Sequence, residues 1–285
     1  MNKLSKVMLV SVITNIFLAL SKLITGIIFS SGALLSDGIH SFSDLTTDIV
    51  AIIGNILARK PADQEHPYGH GKIEYLTSLI IGIVVVGVGA KVIHSSIYSN
   101  IVIPTIFVAA VSLITIILKL LLSSYIINEG NKMNNNILIA SGKESRMDVI
   151  SSLVVFISIL FMQLSNYSDI FKYSDKVASI IVGLFIIKAG IDIIRENASV
   201  VLGKQETNRK YINNIKKRIK NTEGVVDIKS FVMIKYGHSS SLNLVITMDG
   251  NTTISKAHEI TDVIEEKIRK YSEKIEYINI HVEPE

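Results

Sequence analysis

The chain has 285 residues, 48% of them hydrophobic, and its mean hydropathy of +0.43 is too high for an ordinary soluble domain. Its formal net charge is +4. A basic balance can indicate nucleic-acid binding, but excess Lys and Arg is also typical of the cytoplasmic loops of membrane proteins, so we expect no nucleic-acid partner. The sequence contains no cysteine, which excludes disulfides and thiolate ligands and leaves His and carboxylates to hold any metal.

Six apolar runs are each long enough to cross a bilayer core of about 30 Å. They cover residues 7–29, 33–57, 76–97, 101–127, 143–164 and 175–196. The even number of runs places both termini on the same side. Lys3 and Lys6 precede the first run, and Lys60 and Lys72 follow the second, so this side is predicted to be the cytoplasm. The sequence therefore predicts a multi-pass protein of the plasma membrane with both termini cytoplasmic.

The second run carries a stripe of ionisable residues, Asp37, His40, Asp44 and Asp48. On a helix they fall within about 80° of arc. Ionisable groups at this depth are costly, so the stripe should face the bundle interior or a water-filled path. His40 and Asp44 are four residues apart, a spacing that brings an imidazole nitrogen and a carboxylate to one ion. The alternative is a polar network that only holds helices together.

The fifth run repeats this spacing with Glu144 and Asp148, which share a face with Ser151. Two ligands from each of two helices make a four-ligand site that suits a divalent ion. Crowded carboxylates cannot all ionise in a low dielectric, so entry of a metal ion would release protons. This is the chemistry that a proton–metal antiporter needs. Alternatively, Arg146 pairs with Glu144 in a structural ion pair, although a residue two positions along points to another face.

These motifs resemble the cation diffusion facilitator family over essentially the whole chain. The resemblance rests on residues 36–44, the loop at 61–72 with its string His66-Pro67-Tyr68-Gly69-His70-Gly71-Lys72, Met147-Asp148-Val149, and the closing His281-Val282-Glu283-Pro284. It implies an α-helical membrane protein with a six-helix transport domain over residues 1–203. A small cytoplasmic α/β domain of ferredoxin-like fold would follow over residues 204–285. It also implies a homodimer that exports zinc, manganese, iron or related divalent ions in exchange for protons by alternating access.

The family's transport site uses two residues of the second span and two of the fifth, which here are His40, Asp44, Glu144 and Asp148. Zinc-type members usually carry His where this chain has Glu144. One nitrogen and three carboxylates make a harder site, which favours manganese or ferrous iron. The metal would be the transported substrate, and no prosthetic cofactor is expected.

The loop between the second and third runs holds Asp63, His66 and His70 within eight residues. In the family, the matching residues bind a second metal ion. The alternative is a conformational motif in which the prolines and glycines shape a turn. Lys72 pairs in relatives with an Asp after the last span, but residues 201–204 of this chain contain no acid.

The sequence from about residue 206 predicts helix, strand, strand, helix and strand, at 207–220, 225–235, 241–248, 255–271 and 276–282. His258, His281 and Glu283 match family positions that bind regulatory metal. Lys229 and Val245 stand where some zinc exporters have His, so this site is incomplete and a packing role is the alternative.

A membrane metalloenzyme is the competing class, and it would need an open coordination position with a general base. The sequence contains no His-Glu-x-x-His string. A metal sensor that signals through its cytoplasmic domain is a third class, but a charged interior across six spans favours flux. We therefore predict a transporter rather than an enzyme.

Overall fold

A computed structural model describes residues 3–58, 60–133, 135–237 and 239–285. Within its helices, the side chains of residues 3–5, 47, 48, 50–52, 55, 136 and 137 also lie outside the description. The side chain of Asp48, from the predicted stripe, and the whole of His238, in the predicted turn between the first two strands, are therefore outside the described residues.

Helices α1 to α6 are 26 to 28 residues long. Their bounds are α1 Lys3–Ile28, α2 Gly32–Ala58, α3 Ile73–Tyr98, α4 Ile106–Lys132, α5 Asn136–Gln163 and α6 Ser174–Val201, with a short 3-10 helix at Asp169–Tyr173. Such helices are about 40 Å long at 1.5 Å per residue, more than a bilayer core requires. Among the residues that the structure describes, five of these helices, α1 and α3 to α6, are both long and apolar enough to cross a membrane.

Large apolar side chains cover the outside of these helices. Ile27, Ile83 and Leu121, for example, are 62 to 65% exposed. Water would disfavour so much exposed apolar surface, whereas lipid chains accommodate it. Some polar side chains are instead buried among these helices, including Lys22 and Asp37.

The ends of α4 and α5 differ from the predicted runs. Helix α4 begins at Ile106 rather than 101, because Pro104 disfavours helical backbone at the residue before it and Thr105 is extended, with φ −66° and ψ 157°. Helix α5 begins near Asn135, whose side-chain oxygen accepts a hydrogen bond from the Leu138 amide at 3.1 Å. Helix α4 also ends later than predicted, at Lys132 rather than 127, and α5 begins earlier, at Asn136 rather than 143. The added residues include Asn, Glu, Lys and Ser, so hydropathy did not assign them to a membrane span.

Helices α4 and α5 pack closely because Gly142 has no side chain. A Cβ atom at Gly142 would lie 2.6 Å from Cγ1 of Ile127. The Ser123 hydroxyl donates to the Gly142 carbonyl at 2.8 Å, across the same contact. This register of the two antiparallel helices brings Lys119 of α4 level with Asp148 of α5.

The C-terminal elements form a three-stranded sheet with two helices. Their bounds are α7 Arg209–Lys220, β1 Asp227–Tyr236, β2 Ser239–Met248, α8 Ile254–Tyr271 and β3 Ile275–Pro284. The sheet order is β1-β2-β3. Strands β1 and β2 are antiparallel, and β2 pairs parallel with β3 after the crossover through α8. This is the predicted order of elements.

Apolar residues at helical spacing hold α7 and α8 on this sheet. Ile215 and Ile219 of α7, and Ile260, Ile264 and Ile268 of α8, are buried with the inward side chains of the strands. Side chains also cap the helices: Asn208 accepts from the Tyr211 amide and Thr253 from the Lys256 amide.

The chain divides into two compact units. The helical unit comprises Met1–Ile49 and Ile81–Ile193, and the second unit comprises Val50–Ile80 and Ile194–Glu285. The predicted transport residues lie in the helical unit. The loop after α2 and the three-stranded sheet both belong to the second unit.

Candidate metal centre

His40 and Asp44 lie one turn apart on α2. The His40 Nδ1 atom is 3.7 Å from Oδ1 of Asp44, and the His40 side chain is 12% exposed. Among the described residues, this buried Nδ1 atom has no hydrogen-bond partner. A buried polar atom normally has a partner, so a ring nitrogen without one is suited to bind a cation.

Asp148 of α5 completes a three-residue cluster with this pair. His40, Asp44 and Asp148 each offer one ligand atom, and the three atoms lie within 4.8 Å of one another. A divalent ion could be held between two helices at this place. Glu144, one turn before Asp148, is exposed and is not one of these three residues.

Arg146 lies between Glu144 and Asp148 in sequence but points elsewhere. Its Nη2 atom donates to the Ser124 hydroxyl of α4 at 3.3 Å. This contact agrees with the expectation that a residue two positions along a helix faces another side.

Two lysines lie beside the cluster and were not predicted. The Lys119 Nζ atom on α4 is 3.1 Å from Oδ2 of Asp148, and it also donates to Oδ1 of Asn15 on α1 at 3.1 Å. The Lys22 Nζ atom on α1 is 2.8 Å from Oδ2 of Asp37 on α2. The signal available in the sequence was a lysine in the middle of an apolar run, since such a residue needs a buried partner.

A hydrogen-bond network links the Lys22–Asp37 pair to α5. The hydroxyls of Ser151 and Ser152 donate to the two carboxylate oxygens of Asp37 at 3.1 and 2.8 Å. Lys22 also donates to the Ser152 hydroxyl at 2.9 Å and to the Ser41 hydroxyl at 3.2 Å. Because Asp37 precedes His40 by one turn and Ser151 follows Asp148 by one turn, the network ties together the two helices that carry the cluster.

Asp63, His66 and His70 form a second cluster, in the loop after α2. Their ligand atoms also lie within 4.8 Å of one another. Asp63 accepts hydrogen bonds from the Glu65 and His66 amides at 3.2 and 2.8 Å, which shapes the loop into a turn. The His66 amide, followed by the Lys60 ammonium, lowers the pKa of Asp63 from 3.8 to about 2.

His70 is the buried member of the loop cluster. Its Nδ1 atom lies 3.3 Å from the Pro61 carbonyl, and its Nε2 atom lies 3.5 Å from Oδ2 of Asp63. A proton on Nδ1 donated to that carbonyl would leave Nε2 free as a ligand. The loop therefore presents two imidazoles and one ionised carboxylate.

The same loop packs on the β1–β2 hairpin of its own unit. The Tyr68 ring stacks on Tyr236 at 5.5 Å between centroids and meets Tyr277 edge-on at 5.0 Å. Lys72 lies over the Tyr236 ring and donates to the Val201 carbonyl at 3.3 Å. Lys72 thus contacts the end of α6 through a backbone carbonyl in a chain that lacks an acid at residues 201–204.

Two domain families match nearly the whole chain. The family described as cation efflux transmembrane domain matches residues 8–202, and the family described as cation efflux protein, cytoplasmic domain, matches residues 208–285. The chain belongs to the cation efflux family. This confirms the resemblance to the cation diffusion facilitators. The cation efflux protein is therefore a multi-pass membrane transporter for divalent metal cations and not an enzyme.

Relatives match this cation efflux protein along its length. An uncharacterized transporter of Methanocaldococcus jannaschii is 31% identical over 99% of this chain and 99% of its own. The manganese efflux system protein MneP of Bacillus subtilis is 31% identical over 98% of this chain and 95% of its own. A copper form of the MamM CTD covers 28% of this chain at 19% identity, with a TM-score of 0.27.

In the C-terminal domain of the cation efflux protein, the three predicted metal residues are not grouped as ligands. Within the described residues, His258, His281 and Glu283 form no three-ligand cluster. His258 faces Asp262 at 3.9 Å, and His281 Nε2 lies 3.9 Å from Oε1 of Glu283. The Lys229 ammonium pairs with Glu283 and lowers its pKa.

Proposed function

We propose that the chain exports manganese or ferrous iron in preference to zinc, in exchange for protons. His40, Asp44, Glu144 and Asp148 would be the transport ligands. The observation that carries this proposal is the grouping of ligand atoms from His40 and Asp44 of α2 and Asp148 of α5 within 4.8 Å of one another. Glu144 would join when its side chain turns toward the ion, since it lies one helical turn from Asp148 on the same face.

The choice of metal follows from the donor atoms. One imidazole and three carboxylates form an oxygen-rich set, which suits manganese and ferrous iron better than the nitrogen-rich set of a zinc site. Zinc also accepts carboxylates, so the preference would be graded rather than absolute. The similarity to a manganese efflux system protein supports the same choice.

Proton exchange follows from the same ligands. Carboxylates and imidazole bind a metal only in their unprotonated forms, so loading from the cytoplasm would release protons. After the site reorients, protons outside would compete for the ligands and drive the metal off. Alternating access of a single site is sufficient for this exchange.

We propose the remaining architecture on the same grounds. Helix α2 would be a sixth span, with its ionisable face turned inward. Six spans would put both termini on one side, and the lysines at the N-terminus and after α2 favour the cytoplasm as that side. Residues 1–203 would form the transport domain, and residues 204–285 would form a ferredoxin-like domain that pairs two chains in a homodimer at the plasma membrane. Asp63, His66 and His70 would bind a second ion. In the C-terminal domain, the regulatory metal site would be at most incomplete, with His258, His281 and Glu283 as its ligands.

Transport into proteoliposomes tests the proposal. Purified protein in vesicles with an imposed pH gradient should carry manganese against the proton flow, and vesicle pH should change only when metal is present. Asp148→Ala should abolish both signals, because it removes the only ligand of the three-residue cluster that α5 supplies.

Asp169→Ala is the matched control. It also removes one carboxylate, but from an exposed pair with Lys172 outside the cluster, and it should transport like the unmodified protein. Normal transport by Asp148→Ala would refute the site. Manganese transport without any proton signal would refute the exchange, and strict selection of zinc would refute the choice of metal.

A further inference from the structure

Lys119 places a positive charge at the site that is proposed to bind a metal cation. Its Nζ atom is 3.1 Å from Oδ2 of Asp148, and its side chain is 12% exposed. Asp148 is also one of the three residues whose ligand atoms converge. The Asp148 carboxylate therefore pairs with an ammonium group of the protein and is also positioned to bind a metal ion.

A lysine in an apolar helix is costly unless it is paired. Helix α4 is among the five that are apolar enough to cross a membrane, and Lys119 lies near its middle. A simple lipid-facing position could be filled by Leu at lower cost. The position of Lys119 against a candidate ligand thus calls for a role that an apolar residue cannot fill.

Lys119 also has a second partner, on α1 rather than on α5. Its Nζ atom donates to Oδ1 of Asn15 on α1 at 3.1 Å. The amide oxygen of Asn15 accepts a hydrogen bond from the ammonium group but carries no full negative charge, so it attracts a metal ion less than a carboxylate does. The lysine could therefore leave Asp148 and keep one hydrogen bond within the bundle.

We propose that Lys119 is a tethered competitor of the transported ion, an inference that rests on the proposed transport site. With no metal bound, Lys119 occupies Asp148 and joins α1, α4 and α5 through Asn15, Lys119 and Asp148. An arriving divalent ion takes over the Asp148 carboxylate and displaces the ammonium toward Asn15, so the link to α5 is broken. When the metal leaves, Lys119 returns.

This competition sets the affinity at a value from which the ion can be released. Three carboxylates and an imidazole would hold a divalent cation strongly, and strong retention slows export. One built-in positive charge offsets the negative charge of one of these three carboxylates. Lys119 is thus a residue that determines affinity and not itself a ligand.

Equilibrium binding of manganese to the full-length protein in nanodiscs tests this role. Each isotherm is compared with that of the same protein carrying Asp148→Asn, and the difference isolates the transport site from the loop cluster. Lys119→Gln should bind manganese at least about tenfold more tightly, because like charges a few ångströms apart repel strongly in a low dielectric. Its transport in proteoliposomes should show a lower KM and a lower maximal rate.

Lys119→Arg tests the same idea with the charge kept, which also covers the case in which Lys119→Gln does not fold. A guanidinium group pairs with a carboxylate through two hydrogen bonds and competes better than an ammonium. Manganese should therefore bind several-fold more weakly than to the unmodified protein. Equal or tighter binding to Lys119→Arg would contradict the proposal.

Lys91→Gln is the control for net charge, since Lys91 is an exposed lysine on the membrane helix α3. It should leave the affinity unchanged. An equal gain in affinity from Lys91→Gln and Lys119→Gln, or no gain from Lys119→Gln, would overturn the competitor role while leaving the transport site intact. If Asp148→Asn makes no difference to the unmodified protein, the proposed site itself is wrong.

Discussion

Lys22 on α1 and Asp37 on α2 form an ion pair in the interior of the helical unit, with side chains that are only 5 and 1% exposed. Two serine hydroxyls of α5 complete the hydrogen bonds of the carboxylate. A buried ion pair adds little net stability compared with an apolar pair. Removal of one partner is nevertheless strongly destabilising, because it leaves the other charge buried and unpaired. It is best understood as a device that fixes how three helices meet.

Asp37→Asn should therefore destabilise the protein, by about 3–5 kcal/mol if Lys22 stays charged. Asn keeps one of the two acceptor oxygens, and the serine at the new NH₂ group can turn its hydroxyl to accept, so most of the loss reports the charge. Thermal unfolding in detergent, followed by circular dichroism because the chain has no tryptophan, should show a lower Tm. Adding Lys22→Met to Asp37→Asn should recover part of the loss. No change in Tm for the single variant would show that the pair is not needed.

Glu144→His should shift selectivity toward zinc. The substitution replaces a proposed oxygen donor by a nitrogen donor, and imidazole suits zinc better than manganese. Competition between the two metals for uptake into proteoliposomes measures the shift, with Glu144→Gln as the control that removes the charge without adding a nitrogen. An unchanged metal ratio for Glu144→His would mean that Glu144 does not bind the ion.

Asp63→Asn should weaken metal binding by the loop while leaving the conformation of the loop unchanged. The amide oxygen can still accept from the Glu65 and His66 amides, so the turn should persist, but the charge that attracts a cation is lost. Calorimetric titration with manganese should lose one site per chain. Asp63→Ala should lose the site and also loosen the loop in hydrogen exchange. Full stoichiometry in Asp63→Asn would argue for a purely conformational loop.

The pH dependence of this loop has a definite sign. Folding lowers the pKa of Asp63 from 3.8 to about 2, so the ionised carboxylate stabilises the loop above pH 4. That contribution falls as the pH drops from about 4 toward 2. Protection of the Glu65 and His66 amides should therefore be lost in that window in the native loop, and should not change there in Asp63→Asn.

Gly71→Ala should disrupt the contact between the loop and the β1–β2 hairpin. A Cβ atom at Gly71 would lie 2.1 Å from the Tyr236 carbonyl oxygen, so backbone must move, at a cost of about 1–3 kcal/mol. Hydrogen exchange at Tyr236 and Gly237 should become faster. Gly87→Ala is the control, because a Cβ atom there meets nothing within 4 Å. Equal exchange in both variants would show that the contact is not maintained in solution.

Much of the fold follows from local patterns. Long apolar runs predict membrane helices because about 20 consecutive apolar residues are needed to cross a bilayer core. Within the described part of the chain, five of the six runs lie in helices that are long and apolar enough. Helix ends were harder to place. The polar residues that extend α4 and α5 carry no hydropathy signal, and the start of α5 depends on one hydrogen bond from Asn135.

The site was partly predictable for a similar reason. Spacing of four residues brings His40 to Asp44, since a helix repeats every 3.6 residues. The lysines could not be assigned in this way. Lys119 is 29 residues from Asp148 along the chain, and only the packing of α4 on α5 across Gly142 brings the two together.

The amino-acid sequence by itself determined the class of protein and predicted the two candidate ligand pairs, because both depend on short-range periodicity and on residue chemistry. Tertiary structure alone decided that the Lys119 ammonium lies beside Asp148 and that Lys22 and two serines are the partners of the Asp37 carboxylate. It also decided how the loop that contains Asp63 packs on the sheet. These contacts join residues far apart in the chain, and their geometry follows from how whole helices and strands pack.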